Sequence, residues 1–265
     1  MHMDFSALTS TSFRLDARIG WLALNRPESL NALDLSMVSE IETVLAWVRD
    51  AQEVRCLVIT GSGKGFCAGA DLKNLNAVDS PTNLSAFIRH AGRVFSAIES
   101  LEKPTIAGIN GITLAGGLEL ALSCDLIVAA STARLGDAHA NFGQIPGGGA
   151  TVRLPSRVGI HRSKYLMLTG AAISAETALQ WGLVDEVVAP DLLQTRAGEI
   201  AALIVKKSPL VLGRIKALVN GARDASTADA LEAERHASDA HFCSHDQREG
   251  MAAFAEKREP RYIGE

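Results

Sequence analysis

Glu119 and the glycine pair before it are the residues whose types and spacing could most directly do chemistry. In "LAGGLEL", Leu114 to Leu120, the pair opens a helix-like run and Glu119 stands three residues after Gly116. The first amide N–H groups of a helix have no intrahelical acceptor and carry the positive end of its dipole. With no side chain in the way, the Gly116 N–H can meet a developing oxyanion. A residue three positions on shares that helical face, so Glu119 is placed to act as a general base or acid. Loss of one oxyanion donor can cost roughly 10²–10³ in rate. Each element also has a plainer explanation: glycine pairs allow close backbone packing, and a first-turn glutamate stabilises the dipole.

A second glycine loop, "FCAGADL", spans Phe66 to Leu72, and a third segment, "GDAHANFGQIPGGGA", runs from 136 to 150. In the third, strand alternation predicts that Asp137 and His139 share a face. An imidazole, with an ordinary pKa of about 6.5, is suited to proton exchange near neutrality. "GSGKGF" lacks the GxxxxGK[ST] spacing, so a phosphate loop is rejected.

These residues need elements to hold them. "FRLDARIGWLALNRP" reads as two short strands joined near Asp16. In "LDLSMVSEIETVLAWVRD", Asp34 or Ser36 can cap a helix whose apolar stripe is Met37, Ile41, Val44, Leu45 and Val48. Apolar strand-like runs stand at 56–60, 105–109 and 126–130, with "ARLGD" as a shorter fourth. Their recurrence with glycine turns and helices predicts ββα-type or βαβ-type units around a buried sheet. From about Asp191 onward the chain reads as amphipathic helices, broken at Ser208-Pro209 and Asn220-Gly221.

With 265 residues, 47% hydrophobic and 21% charged, the composition fits a soluble α/β enzyme. A net charge of −4 argues against nucleic-acid binding and a basic membrane face, so local groups must hold any anionic ligand. Cys56, Cys67, Cys124 and Cys243 lack metal-ligand spacing, and Cys56 and Cys124 read as buried thiols of a reducing compartment. "MHMDFSALTSTSF" lacks the pattern of a signal peptide, and no apolar run reaches the ~18 residues of a membrane span. The expectation is a cytoplasmic protein.

Five segments in order carry a resemblance: "LNRPESLNAL" (24–33), "GKGFCAGADLKNL" (63–75), "INGITLAGGLELALSCDLIVAA" (109–130), "GQIPGGGATVRLP" (143–155) and "DQREGMAAFAEKREP" (246–260). Over nearly the whole chain this set resembles the crotonase family of enoyl-CoA hydratases and isomerases. The resemblance implies an α/β fold with a crotonase-type core of repeated ββα units, residues 1–195, holding the CoA and active sites. It also implies a C-terminal helical trimerisation region, 196–265, and a homotrimer or dimer of trimers. An acyl-CoA thioester is the implied substrate; coenzyme A is part of it, and no separate cofactor is implied. Ala70 and Gly116 match the amides that hold the thioester oxygen, and Glu119 matches the first catalytic glutamate. Ala68, Asp71 and Leu72 match positions lining the CoA channel, while Phe254 and Lys257 match residues near its nucleotide end.

Hydratases of this family use a second glutamate four residues before the glycine of a G-x-I-P-G segment. Counting back from Gly143 lands on His139. His139 could exchange a proton with the substrate α-carbon, could steer a different reaction with Glu119 acting alone, or could be a core histidine satisfied by a backbone partner. Hydration of a 2-enoyl-CoA is the main expectation. Isomerisation, thioester hydrolysis or decarboxylation on the same scaffold, and a catalytically inactive CoA-binding member, stand as alternatives. RNA-binding relatives carry a lysine-rich first helix; the corresponding segment here, "SMVSEIETVLAWVRDAQEVR", has no lysine. The acyl pocket is expected to draw on segment 76–95 and on the C-terminal helices, with Phe87 and Phe95 either shaping it or belonging to the core.

Overall fold

Each apolar run expected to be a strand is followed by a shorter strand that leaves for a second sheet. A computed structural model describes residues 5–72 and 81–265. Its larger sheet has the order β1-β2-β3-β5-β7-β10: β1 (Thr11–Asp16), β2 (Ile19–Leu24), β3 (Cys56–Gly61), β5 (Thr105–Ile109), β7 (Leu126–Ala130) and β10 (Glu186–Val188). The smaller sheet has the order β4-β6-β8-β9: β4 (Gly65–Cys67), β6 (Ile112–Leu114), β8 (Arg134–Gly136) and β9 (Ile173–Ser174). The pairs β3/β4, β5/β6 and β7/β8 thus repeat one step, a strand in each sheet. β1 and β2 form an antiparallel hairpin; β2, β3, β5, β7 and β10 then run parallel.

Parallel strands covered on both faces read as continuous apolar runs, and β3 shows why. Its Leu57 and Ile59 join the main core, whereas Cys56 and Val58 face the opposite layer. That layer is α7 (Leu193–Val205), whose Leu193, Ala197 and Ala201 are buried there. Helix α7 therefore spans the expected 195/196 division and packs on the sheet. On the main-core side, α1 (Leu35–Asp50) starts where Asp34 accepts the Met37 N–H at 2.8 Å. It buries the whole expected stripe.

Further helices among the described residues are α2 (Pro81–Ser100), α3 (Gly116–Leu122), α4 (Ala150–Val158), α5 (Ile160–Thr169), α6 (Ala175–Trp181), α8 (Pro209–Ala222), α9 (Thr227–Phe242) and α10 (His245–Glu256). Ser208 caps α8 as expected, with Pro209 at its first position. The expected break at Asn220-Gly221 holds to within one residue: α8 ends at Ala222 and α9 begins at Thr227. In this last turn the Asn220 side-chain amide donates to the Glu99 carbonyl at 3.1 Å, tying the end of α8 to the end of α2. Cys56, Cys67 and Cys124 are buried free thiols, and burial pushes each up to about 12. Among the described residues no helix is long and apolar enough to cross a membrane.

Candidate active site

The two sheets bring the first two glycine loops side by side. After β4, the chain makes a parallel bridge between Leu33 and Ala70. The Leu33 N–H donates to the Gly69 carbonyl at 2.7 Å, and the Asp71 N–H donates to the Leu33 carbonyl at 2.8 Å. Because alternate residues of such a bridge point opposite ways, the Ala70 N–H faces away from Leu33. After β6, Ala115 takes φ 48° and ψ −118°, strained for a residue with a Cβ, and α3 starts at once with Gly116. A Cβ added to Gly116 would lie 3.8 Å from the Ala70 nitrogen. Neither the Ala70 nor the Gly116 N–H has an acceptor among the described residues.

Glu119, expected on the same helical face, is only 3% exposed rather than solvated. Its Oε1 accepts the Gly148 N–H at 2.7 Å and the Ala150 N–H at 3.0 Å, the latter at the start of α4. Burial raises the Glu119 carboxyl above its ordinary range, and the two N–H donors and His139 reverse this only in part. The loop holding the carboxylate leaves no spare room. A Cβ added to Gly148 would lie 2.6 Å from Glu119 Oε2 and 2.7 Å from Phe95. Arg153 fixes the same peptide from behind, donating to the Gly148 carbonyl at 2.7 Å while Glu99 accepts from its Nε and Nη2 at 3.0 and 2.8 Å.

His139 faces Glu119 across the cavity, with Nε2 3.8 Å from Oε2. Its Nδ1 lies 2.9 Å from Asp137 Oδ1, which also accepts the His139 backbone N–H at 3.2 Å. The two residues meet for a reason other than strand alternation. β8 ends at Gly136, and His139 opens a 3₁₀ turn, His139–Phe142, that folds it back onto Asp137. Burial alone would lower the imidazole, but the Asp137 hydrogen bond and the charges of Asp137 and Glu119 outweigh it, leaving it raised.

Ala70, Gly116, Glu119 and His139 line one cavity of ≈ 300 Å³. Ala68 and Leu72 line it too, and the rest of its wall is largely apolar, including Leu84, Phe87, Ile88 and Phe95. Segment 76–95 therefore contributes as expected from residue 84 onward, while 76–80 lie outside the described residues. The Asp71 side chain pairs with Arg26 at 2.9 Å, and Arg26 pairs in turn with Asp34 at 3.0 Å. Phe254, 84% exposed near the end of α10, and Lys257, just past it, are not among the cavity's walls. A larger cleft, ≈ 1080 Å³, lies between α2 and α8 behind Gly147–Gly149; it holds neither Glu119 nor His139.

The arrangement can hold a carbonyl oxygen on two amides beside a buried carboxylate and an imidazole in an apolar chamber. That set suits proton transfer next to a stabilised oxyanion. Sequence reasoning missed the donors from Gly148 and Ala150 and the Glu99–Arg153 clamp. A signal for the donors existed: "GGGA" before a helix repeats the logic applied to Gly116. No local signal links Arg153 to Glu99.

A family model described as enoyl-CoA hydratase/isomerase matches residues 14–265. The crotonyl-CoA hydratase of Syntrophomonas wolfei is 39% identical over 252 residues, covering 94% of this chain and 95% of that protein. The short-chain-enoyl-CoA hydratase of Clostridium acetobutylicum is 36% identical, covering 95% of this chain and 96% of that protein. Among solved structures, the enoyl-CoA hydratase from Bacillus anthracis superposes with a TM-score of 0.94 at 36% identity, covering 97% of this chain and all of that one.

Proposed function

The chain belongs to the enoyl-CoA hydratase/isomerase family, and from that premise we propose that it hydrates 2-enoyl-CoA thioesters with Glu119 and His139 as the proton-exchanging pair. The observation that carries this reading is the 3.8 Å gap between Glu119 Oε2 and His139 Nε2, in the cavity lined by the Ala70 and Gly116 amides. The thioester oxygen would accept both N–H groups. An oxygen atom about 2.8 Å from each partner fits the gap, so the attacking water would sit between carboxylate and imidazole.

Glu119 takes a proton from this water as its oxygen bonds to C3, and the C2–C3 π electrons move toward the thioester to form an enolate held by the two amides. Protonated His139 then gives its proton to C2. Glu119 ends protonated and His139 neutral, and transfer of that proton between them restores the starting state. No cofactor takes part beyond the coenzyme A of the substrate.

Ionised Glu119 and protonated His139 are both needed in the hydration direction. Both groups are raised, so turnover is expected to fall as pH rises through the imidazole pKa, above its ordinary 6.5, and as pH drops through the carboxyl pKa, above its ordinary 4.5. The two limbs belong to the coupled pair. A rate flat from about pH 5.5 to 8.5, with chemistry rate-limiting, would remove His139 from the mechanism.

The deciding assay supplies crotonyl-CoA and a 3-enoyl-CoA separately and identifies the products. A 3-hydroxyacyl-CoA from crotonyl-CoA is the expected result. Conversion of only the 3-enoyl substrate to its 2-enoyl isomer, release of free acid, or no turnover across an enoyl-CoA panel would each replace the hydratase reading.

The same reading takes Ala68, Leu72 and the Arg26–Asp71 pair as the approach for coenzyme A. It also takes a cytoplasmic homotrimer or dimer of trimers, assembled through the region 196–265. In such an assembly Phe254 and Lys257, exposed and away from their own cavity, would meet the nucleotide end in a neighbouring subunit.

A further inference from the structure

Asp137 is 1% exposed, and its two oxygens are used unequally. Oδ1 accepts the His139 N–H and lies against Nδ1, whereas Oδ2 is buried without a hydrogen-bond partner among the described residues. An aspartate that only shaped the turn would need just the backbone N–H two residues on. Here the ring contact, at 2.9 Å, is shorter than the backbone bond, at 3.2 Å. A buried carboxylate with one bare oxygen is costly unless a cation or strong donor faces it, and the imidazole does so.

We infer that Asp137 is a positioning residue that holds His139 with its proton on Nδ1, leaving Nε2 as the nitrogen that exchanges protons in the cavity. Residues 137 and 139 form a matched pair: a carboxylate at 137 requires an imidazole, not a carboxylate, at 139. The inference rests on the reading of His139 as a proton-exchanging group. Two charged groups act on the ring, Asp137 before the turn and Glu119 on α3. Helix α5, tied to the turn by the Asn141 amide donating to the Gly170 carbonyl, carries His161, Arg162 and Lys164, all exposed.

The test compares Asp137→Asn, Asp137→Ala, His139→Ala, His139→Glu and the double variant Asp137→Asn/His139→Glu, each checked for native melting. An amide at 137 keeps an acceptor for the turn and loses the charge. Asp137→Asn is expected to lower turnover about tenfold or more and to move the high-pH limb down by about one unit. His139→Glu sets three carboxylates together and is expected to be no better than His139→Ala. Adding Asp137→Asn to it should recover at least about tenfold, because like charges at contact cannot all ionise. In ¹⁵N spectra above the limb, Nδ1 of His139 should carry the proton in the wild type and lose that preference in Asp137→Ala.

A high-pH limb lost in His139→Ala but unmoved in Asp137→Asn would overturn the inference alone. So would equal activity of His139→Glu with and without the second change, or an Nε2-protonated ring in the wild type. A limb unaffected by His139→Ala would overturn the His139 reading and the inference together.

Discussion

Replacing Glu119 by glutamine is expected to lower kcat for hydration about 10²–10⁴-fold while leaving KM and the melting temperature close to the wild type. Glutamine keeps a carbonyl oxygen that can accept from the Gly148 and Ala150 N–H groups, so the loop before α4 keeps its anchor. In the proposed reaction what is lost is the ability to take a proton from water, a task for the carboxyl that burial raises. The cavity walls that would contact the acyl chain are untouched, so ground-state binding should change little. Steady-state kinetics on crotonyl-CoA beside thermal unfolding separates the cases. Undiminished turnover in a correctly folded variant would remove Glu119 from the chemistry, and with it both the hydratase and isomerase assignments of that residue.

Gly117→Ala is expected to damage the site from the opposite direction, through the scaffold. A Cβ at Gly117 would lie 2.8 Å from the Cys67 carbonyl carbon and Cys67 Cβ, and closer still to the Cys67 carbonyl oxygen. That oxygen belongs to β4, so neither neighbour can swing aside as a flexible side chain would. Relief requires α3 to back away from β4. Overpacking of this kind costs about 3 kcal/mol, which for a chain of this size lowers Tm by about 6–12 °C. The same displacement separates the Gly116 N–H from the Ala70 N–H. The folded variant should therefore lose about 10²–10³ in turnover, as when an oxyanion donor is removed. Calorimetry and kinetics on the purified variant check both; wild-type values in either would show that the close packing of α3 on β4 is not needed.

Legibility in the sequence followed chain distance. Helix α1 was readable because its cap and stripe are local: Asp34 bonds three residues on, and the buried positions recur at helical spacing. Strands β3, β5 and β7 were readable as unbroken apolar runs because both faces are covered. The three-residue strands β4, β6 and β8 are too short to express a period, although "ARLGD" marked β8. Without the first two, the second sheet that brings Ala70 beside Gly116 was not visible. The end of α8 was readable for the same local reason as α1, with Asn220-Gly221 standing in its last turn.

By itself the sequence singled out the groups of the proposed reaction: a glutamate one helical turn after an unblocked amide, and a histidine four residues before Gly143. Residue type and local spacing suffice for that, because they decide which atoms can donate or accept a proton. Only the tertiary structure decided which Glu119 oxygen is tied down, which His139 nitrogen faces it, and that burial raises the carboxyl. Those properties depend on groups distant in the chain, since Gly148 lies 29 positions from Glu119. A carboxyl's proton affinity follows its burial and neighbouring charges, and only the packed fold supplies them.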